Sequence, residues 1–368
     1  MIYLLSRYLQ QNFESLHFMR LLGYLSVRSI AAALTAWVIA FLLSRFLIRY
    51  LHRKAFTDQA RDTGIPSAFD KAGTPTMGGL AIVAGVFAAS LLWCDPTSPF
   101  VLCVLGGLIW FGLIGLSDDL AKFRAGSGDR GMSEARKLLL QFLFATGFAL
   151  LFVSSLSPLP QSQATAFYVP FVKVALWHSA WFTVPFVALF VVLVSNSVNL
   201  TDGLDGLAIV PSVFTLGILG VFAYVMGNSI WSTYLQYPHL RGAGELGVFC
   251  SAFVGAGIGF LWYNAYPAEL FMGDTGSLAI GGSMAVACVL LKQELLFPLL
   301  GGLFVAEAFT SQVQDKVGVR WLGRRLFYRA PLHHALQYRG LAETKVVIRL
   351  WIVSGILALL ALATIKVR

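Results

Sequence analysis

Ten apolar stretches succeed one another along this chain, near 24–48, 77–93, 100–117, 137–155, 174–196, 207–227, 245–263, 277–291, 295–314 and 346–365. Most are long enough to cross about 30 Å of hydrocarbon as helix. In hydrocarbon every backbone N–H and C=O must be satisfied within the segment or its neighbours, and a helix does this by itself. The expected fold is therefore all-α, a polytopic integral membrane protein of about ten transmembrane helices. Composition excludes the other classes. Only 12% of the 368 residues are charged and 57% are hydrophobic, whereas roughly a quarter of a soluble domain is charged. With 29 Phe, 12 Tyr and 9 Trp, the chain is also far too apolar to be disordered.

Residues 1–368 read as a single transmembrane domain without internal repeats. Residues 1–20 mix Arg7, Glu14 and Arg20 with apolar residues, which suits an interfacial segment leading into a retained first span, with no signal-peptide cleavage site. The four cysteines show no CxxC spacing and are read as small buried hydrophobes.

The formal charge of +9 suggests nucleic acid only until the basic residues are located. Residues 45–75, 118–137 and 316–349 hold 19 of the 27 Lys and Arg, and all three segments follow odd-numbered spans. The positive-inside rule puts that side in the cytoplasm and both termini on the outer side. Cytoplasmic loops are expected near 50–76, 118–136, 197–206, 264–276 and 316–345, with no nucleic-acid partner.

The acids sort the same way. Asp118 and Asp119 close the third span, Asp202 and Asp205 follow the fifth, and Asp274 follows the seventh. One such acid would be an ordinary solvated loop residue. Five at one boundary, beside a 195–206 loop that carries no base at all, suggest a carboxylate cluster that lacks local counter-charge and so wants a cation. Hard oxygen ligands suit magnesium, which takes one or two carboxylates, keeps water and shares substrate phosphates. Glycines around Asp202 and Asp205 and on both sides of Asp274 would let backbone approach a ligand closely.

Lys71 opens a glycine-rich turn, 71–79, suited to a phosphate or simply marking the cytoplasmic side. The 316–345 loop carries Arg324, Arg325 and Arg329 and then the adjacent pair His333 and His334. Those imidazoles suit phosphate binding or proton movement near neutral pH. Glu307 and Gln312, in the ninth span, are expected to face the bundle interior.

Four motifs, Lys71–Gly79, Ser117–Lys122, Asn199–Ala208 and Asn264–Leu278, resemble those of the phospho-N-acetylmuramoyl-pentapeptide transferases, the translocase I family. The resemblance implies transfer of phospho-MurNAc-pentapeptide from UDP-MurNAc-pentapeptide to undecaprenyl phosphate, giving lipid I and UMP with Mg2+. It implies that Asp274 binds magnesium, that Asp118 and Asp119 are the catalytic acid pair and candidates to share the metal, and that Lys122 meets a phosphate. Lys71, Asn199, Asp202, Gly203, Leu204, Asp205 and Phe271 fall at its nucleotide pocket or rim, where Phe271 would stack on uracil. A direct attack for which Asp118 deprotonates or orients the lipid phosphate is the expected chemistry, with a covalent aspartyl intermediate as the alternative; a homodimer is compatible with the reading, and the location the resemblance implies is the bacterial inner membrane, with both termini on its periplasmic side.

The family's last motif has three histidines and, two residues later, a glutamate. Here the residues are His333, His334, Ala335, Leu336 and Gln337, so only His333 and His334 carry over, and Ala335 and Gln337 are expected to tolerate change. The nearest alternative is a sister transferase that passes another UDP-sugar's N-acetylhexosamine-1-phosphate to the same lipid. An ion-coupled transporter would show acids at mid-span and inverted repeats, and this chain shows neither.

Overall fold

The helix Gly273–Leu290 lies at the centre of the molecule, with every residue from Thr275 to Leu290 buried. Its Gly, Ala and Ser content follows from that place, because helices that meet others on all sides pack closest through small residues. The computed structural model describes residues 1–12, 17–54, 73–125, 131–172 and 174–367. In chain order the helices are α1 (Ile2–Asn12), α2 (Leu25–Arg53), α3 (Gly79–Trp93), α4 (Pro99–Arg124), α5 (Glu134–Val153), α6 (Gln161–Ala164), α7 (Ala180–Thr201) and α8 (Ile209–Gly227). They continue with α9 (Ser229–Tyr234), α10 (Gly244–Asn264), the central α11 (Gly273–Leu290), α12 (Phe297–Leu300), α13 (Gly302–Gln312), α14 (Leu332–Tyr338) and α15 (Glu343–Val367). Among the described residues the one sheet is the antiparallel pair β1 (Ala166–Phe167) and β2 (Trp177–His178).

The chain is an all-α polytopic membrane protein. Among the described residues eight helices, α2, α4, α5, α7, α8, α10, α11 and α15, are long and apolar enough to cross a membrane. The other two expected stretches are helical but different. Helix α3 has 15 residues. The 295–314 stretch is broken at Gly301, where ψ turns to +30° and an added Cβ would lie 2.6 Å from the Phe297 ring. Beyond α13 the chain winds on as a π-helix, Val313–Trp321. Helix α7 starts later than its apolar run because Trp177 and His178 pair with Phe167 and Ala166, and the Ser179 hydroxyl then caps the helix by accepting the Phe182 N–H at 3.2 Å.

Helices α2 and α10 cross tightly, and a Cβ on Gly255 would sit 1.9 Å from the Ala33 carbonyl oxygen. On the outside, Ile30, Leu34 and Leu42 of α2 and Ile352, Ile356 and Leu359 of α15 are exposed, as lipid-facing residues are. At one end of the bundle the buried Arg28 guanidinium donates to both Glu245 carboxylate oxygens, at 2.9 and 2.7 Å, and to the Trp93 carbonyl at 3.2 Å. That fork ties the start of α2, the end of α3 and the start of α10. At the opposite end the last turns of α4 and α7 meet the first turns of α3, α5 and α11, and there the candidate site lies.

Candidate active site

Asp118, Asp119 and Lys122 occupy the last two turns of α4, Lys137 the first turn of α5, and Asp274 the first turn of α11. Ligand oxygens of Asp118, Asp119 and Asp274 all lie within 4.8 Å of one another. The expectation of a cluster without counter-charge is corrected here. Lys122 Nζ lies 2.7 Å from Asp118 Oδ2 and 3.1 Å from Asp274 Oδ2. Lys137 Nζ spans the same two oxygens at 3.2 and 2.7 Å. Two ammonium groups thus bridge two carboxylates, which is what makes burial of the acids affordable. Side-chain exposure rises from 1% at Asp118 to 16% at Asp274, 18% at Lys137 and 29% at Lys122, so the cluster opens outward through its lysines.

The neighbouring acids differ in what they touch. Asp118 Oδ1 accepts the Met132 N–H at 2.7 Å. Its Oδ2 meets both ammonium groups but is buried without an aligned hydrogen bond. Asp119 spends its oxygens on the start of α11: Oδ1 accepts the Asp274 N–H at 3.1 Å, and Oδ2 accepts the Thr275 N–H at 2.9 Å and its hydroxyl at 2.6 Å. It caps that helix from a neighbouring helix, satisfying donors that would otherwise be orphaned. The approach is close: Gly273 has φ +74°, and a Cβ on Gly115 would lie 2.1 Å from the Asp274 carbonyl oxygen. Asn199, at the end of α7, donates to Asp274 Oδ1 at 3.0 Å and to Ser277 Oγ at 2.8 Å.

This donor set fits a hard cation in part. Asp118 Oδ2 and the Asp274 carboxylate are the candidate ligands, since a cation could take the place of the two ammonium groups they share, whereas the Asp119 oxygens accept hydrogen bonds from the start of α11. Sequence reasoning missed Lys137. Arg136 and Lys137 open α5 together, and their order does not say that Arg136 is exposed while Lys137 turns inward.

The histidine loop forms a second group. His333 is buried on α14; its backbone N–H donates to Glu307 Oε1 at 3.2 Å and its Nδ1 lies 3.1 Å from Glu307 Oε2. Glu307 faces inward as expected, at 0% exposure, while Gln312 is exposed. The His333 ring packs on the α7–α8 loop, where a Cβ on Gly203 would be 2.4 Å from its Nε2. The His334 ring lies 4.3 Å from it, with Nδ1 3.2 Å from Gln337 Oε1. Burial, with His333 beside it, lowers the His334 pKa below 6.5. Gln337 therefore holds His334.

The remaining expected residues are dispersed. Asp202 is the half-buried C-cap of α7. Asp205 is buried; its Oδ2 accepts the Ala268 N–H at 3.0 Å and its own N–H donates to Glu343 Oε1 at 3.2 Å. Leu204 packs in a small apolar cluster with Leu207, Leu303 and Val346. Neither acid of this loop is in the Asp118, Asp119 and Asp274 cluster. Phe271 is half-buried, its N–H donating to the Pro75 carbonyl and its carbonyl accepting the Gly78 N–H, each at 2.8 Å. Lys71 lies outside the described residues.

A family model described as Glycosyl transferase family 4 matches residues 101–292, and a phospho-N-acetylmuramoyl-pentapeptide-transferase signature matches residues 71–83. The phospho-N-acetylmuramoyl-pentapeptide-transferase of Caulobacter vibrioides (strain NA1000 / CB15N) is 44% identical over 373 residues, covering 100% of both chains. That of Geobacter sp. (strain M21) is 42% identical over 345 residues, 94% of each chain.

Proposed function

This chain belongs to the phospho-N-acetylmuramoyl-pentapeptide-transferase family, and from that membership we propose that it transfers phospho-MurNAc-pentapeptide from UDP-MurNAc-pentapeptide to undecaprenyl phosphate. An oxygen of the acceptor phosphate attacks the phosphorus that carries the sugar, the bond from that phosphorus to the bridging oxygen breaks, and UMP leaves. Lipid I stays in the membrane. The observation that carries the reading is the bridge of Lys122 and Lys137 across Asp118 and Asp274 at the boundary end of the bundle. A long-tailed acceptor can stay in lipid while its phosphate meets a soluble nucleotide there.

In this reading the two lysines exchange their carboxylate partners for diphosphate oxygens as substrate enters, and their charge stabilises the departing UMP. Asp118, whose Oδ2 the departing lysines would leave free, orients the acceptor phosphate. Asp274 and Asp118 would hold Mg2+, which when bound supplies further charge at the diphosphate. His333 and His334 would contact a substrate phosphate or the sugar-linked group. Asn199, Asp202, Gly203, Leu204, Asp205, Phe271 and Lys71 would form the nucleotide pocket and its rim. The site is assigned to the cytoplasmic face of the inner membrane, with both termini outside, on the strength of the basic loops.

The test is UMP release by detergent-solubilised protein given UDP-MurNAc-pentapeptide, a polyprenyl phosphate and magnesium. Release is expected, and excess chelator should stop it. UDP-N-acetylglucosamine should not compete; if it is used instead, the sister-transferase reading replaces this one. No UMP from well-folded protein overturns the proposal.

A further inference from the structure

About one helical turn from the acid–lysine cluster, two primary amides meet between α5 and α7. Gln141 follows Lys137 by four residues on α5, and Asn196 precedes Asn199 by three on α7, so each shares a helix face with a residue that reaches Asp274. Asn196 Nδ2 donates to Gln141 Oε1 at 2.6 Å, and Gln141 Nε2 donates back to Asn196 Oδ1 at 3.4 Å. Asn196 Nδ2 also donates to the Val192 carbonyl at 2.8 Å. Gln141 is fully buried, and Val191, Val192 and Val194 are buried beside its partner.

An amide in such surroundings is a poor choice for packing alone, since each one must find its partner or be left unsatisfied. Its value is direction. An apolar contact tolerates rotation of one helix against another, whereas a pair of amides fixes it. What that fixed rotation delivers is visible one turn away. Lys137 Nζ donates to Asp274 Oδ2 at 2.7 Å and Asn199 Nδ2 to Asp274 Oδ1 at 3.0 Å, so α5 and α7 each hold one oxygen of the same carboxylate. With side chains reaching about 5–6 Å from the helix axis, a rotation of about 20° would carry the ammonium group by about 2 Å, enough to break that contact.

We propose that Gln141 and Asn196 are a positioning pair, which sets α5 against α7 so that Lys137 and Asn199 close together on Asp274. The proposal rests on the reading of the acid–lysine cluster as the transfer site.

The experiment compares the parent with Gln141→Leu, Asn196→Leu, the exchanged pair Gln141→Asn with Asn196→Gln, and Lys137→Met, measuring kcat, KM for the UDP-sugar and the thermal midpoint in detergent. Each Leu variant should lose about tenfold or more in kcat, with KM changed by less than about threefold, because misplacement of a charge by about 2 Å weakens the transition state more than the ground state. The exchanged pair, which keeps the amide–amide bond, should recover most of the rate. Parent-like kcat in both Leu variants, with Lys137→Met impaired, overturns the positioning role. A loss of rate that the exchange does not recover, accompanied by a lowered midpoint, assigns the pair to packing and overturns it also. If Lys137→Met itself turns over like the parent, it is the transfer-site reading that falls.

Discussion

Asp119 Oδ1 accepts the backbone N–H of Asp274 at 3.1 Å, so one acid of the site holds the helix start on which another acid stands. Adjacent residues that look alike in the sequence, Asp118 and Asp119, are thereby separated in role. Asp118 faces the two lysines, and Asp119 faces the N-terminus of α11.

Replacement of the two acids should separate rate from stability. Asp119→Asn puts an amide NH2 against N–H and hydroxyl donors, leaving at least one unsatisfied, at a cost of about 1–3 kcal/mol. A lower thermal midpoint together with lost turnover is expected. Asp118→Asn should lose turnover while its midpoint stays near the parent's. Calorimetry or a dye melt in detergent, beside UMP release, measures both; equal midpoints for the two variants would sink the distinction.

Gly203→Ala should impair the enzyme through His333. A Cβ there would lie 2.4 Å from His333 Nε2, and the ring cannot easily retreat because Glu307 lies 3.1 Å from its Nδ1. Overpacking of this kind costs about 1–3 kcal/mol. Gly147→Ala on α5, where nothing lies within 4 Å, is the control and should keep parent turnover. Equal turnover in the two variants would show that the His333 contact is dispensable.

The pH dependence follows from His334, whose folded pKa is held below 6.5 first by burial and then by His333. The groups facing it are His333, Gln337, Glu307 and Arg329. Above 6.5 the imidazole is neutral in both folded and unfolded states and adds no pH dependence. As pH falls below 6.5 the unfolded chain takes the proton first, so stability is lost until pH passes the lowered folded value. Gln337→Glu sets a carboxylate beside Nδ1, raises that pKa and should shrink the loss. Thermal midpoints of parent and variant from pH 7.5 down to pH 5 test this, and parallel curves would refute it.

The Arg28 fork should matter for stability alone. Arg28→Met leaves the half-buried Glu245 without its cationic partner, only the Asp95 N–H remaining on its Oε2, at a cost towards the lower end of about 3–5 kcal/mol. The double change Arg28→Met with Glu245→Leu should recover much of that loss. Turnover per folded molecule should match the parent, since the fork sits at the opposite end of the bundle; a fall in kcat without a fall in midpoint would contradict this.

Hydropathy sufficed for the membrane fold because in hydrocarbon the backbone has no other general way to satisfy its polar groups. Counting spans placed Asp118, Asp119 and Asp274 at one boundary, and the motifs carried the family resemblance. The shortness of α3 and the break at Gly301 escaped the count because apolarity registers neither a short helix nor a broken one. Only the tertiary structure decided which way each helix turns. In a soluble protein a polar face marks the outside of a helix, but here lipid-facing and buried faces are both apolar. The pattern therefore does not say that Lys137 turns inward and Arg136 outward, that Asp119 caps α11 while Asp118 meets the lysines, or that Gln141 finds Asn196. The sequence by itself determined the solvent, the helices and the end at which the acids gather. Rotation about each helix axis was left to close packing among helices whose surfaces are alike.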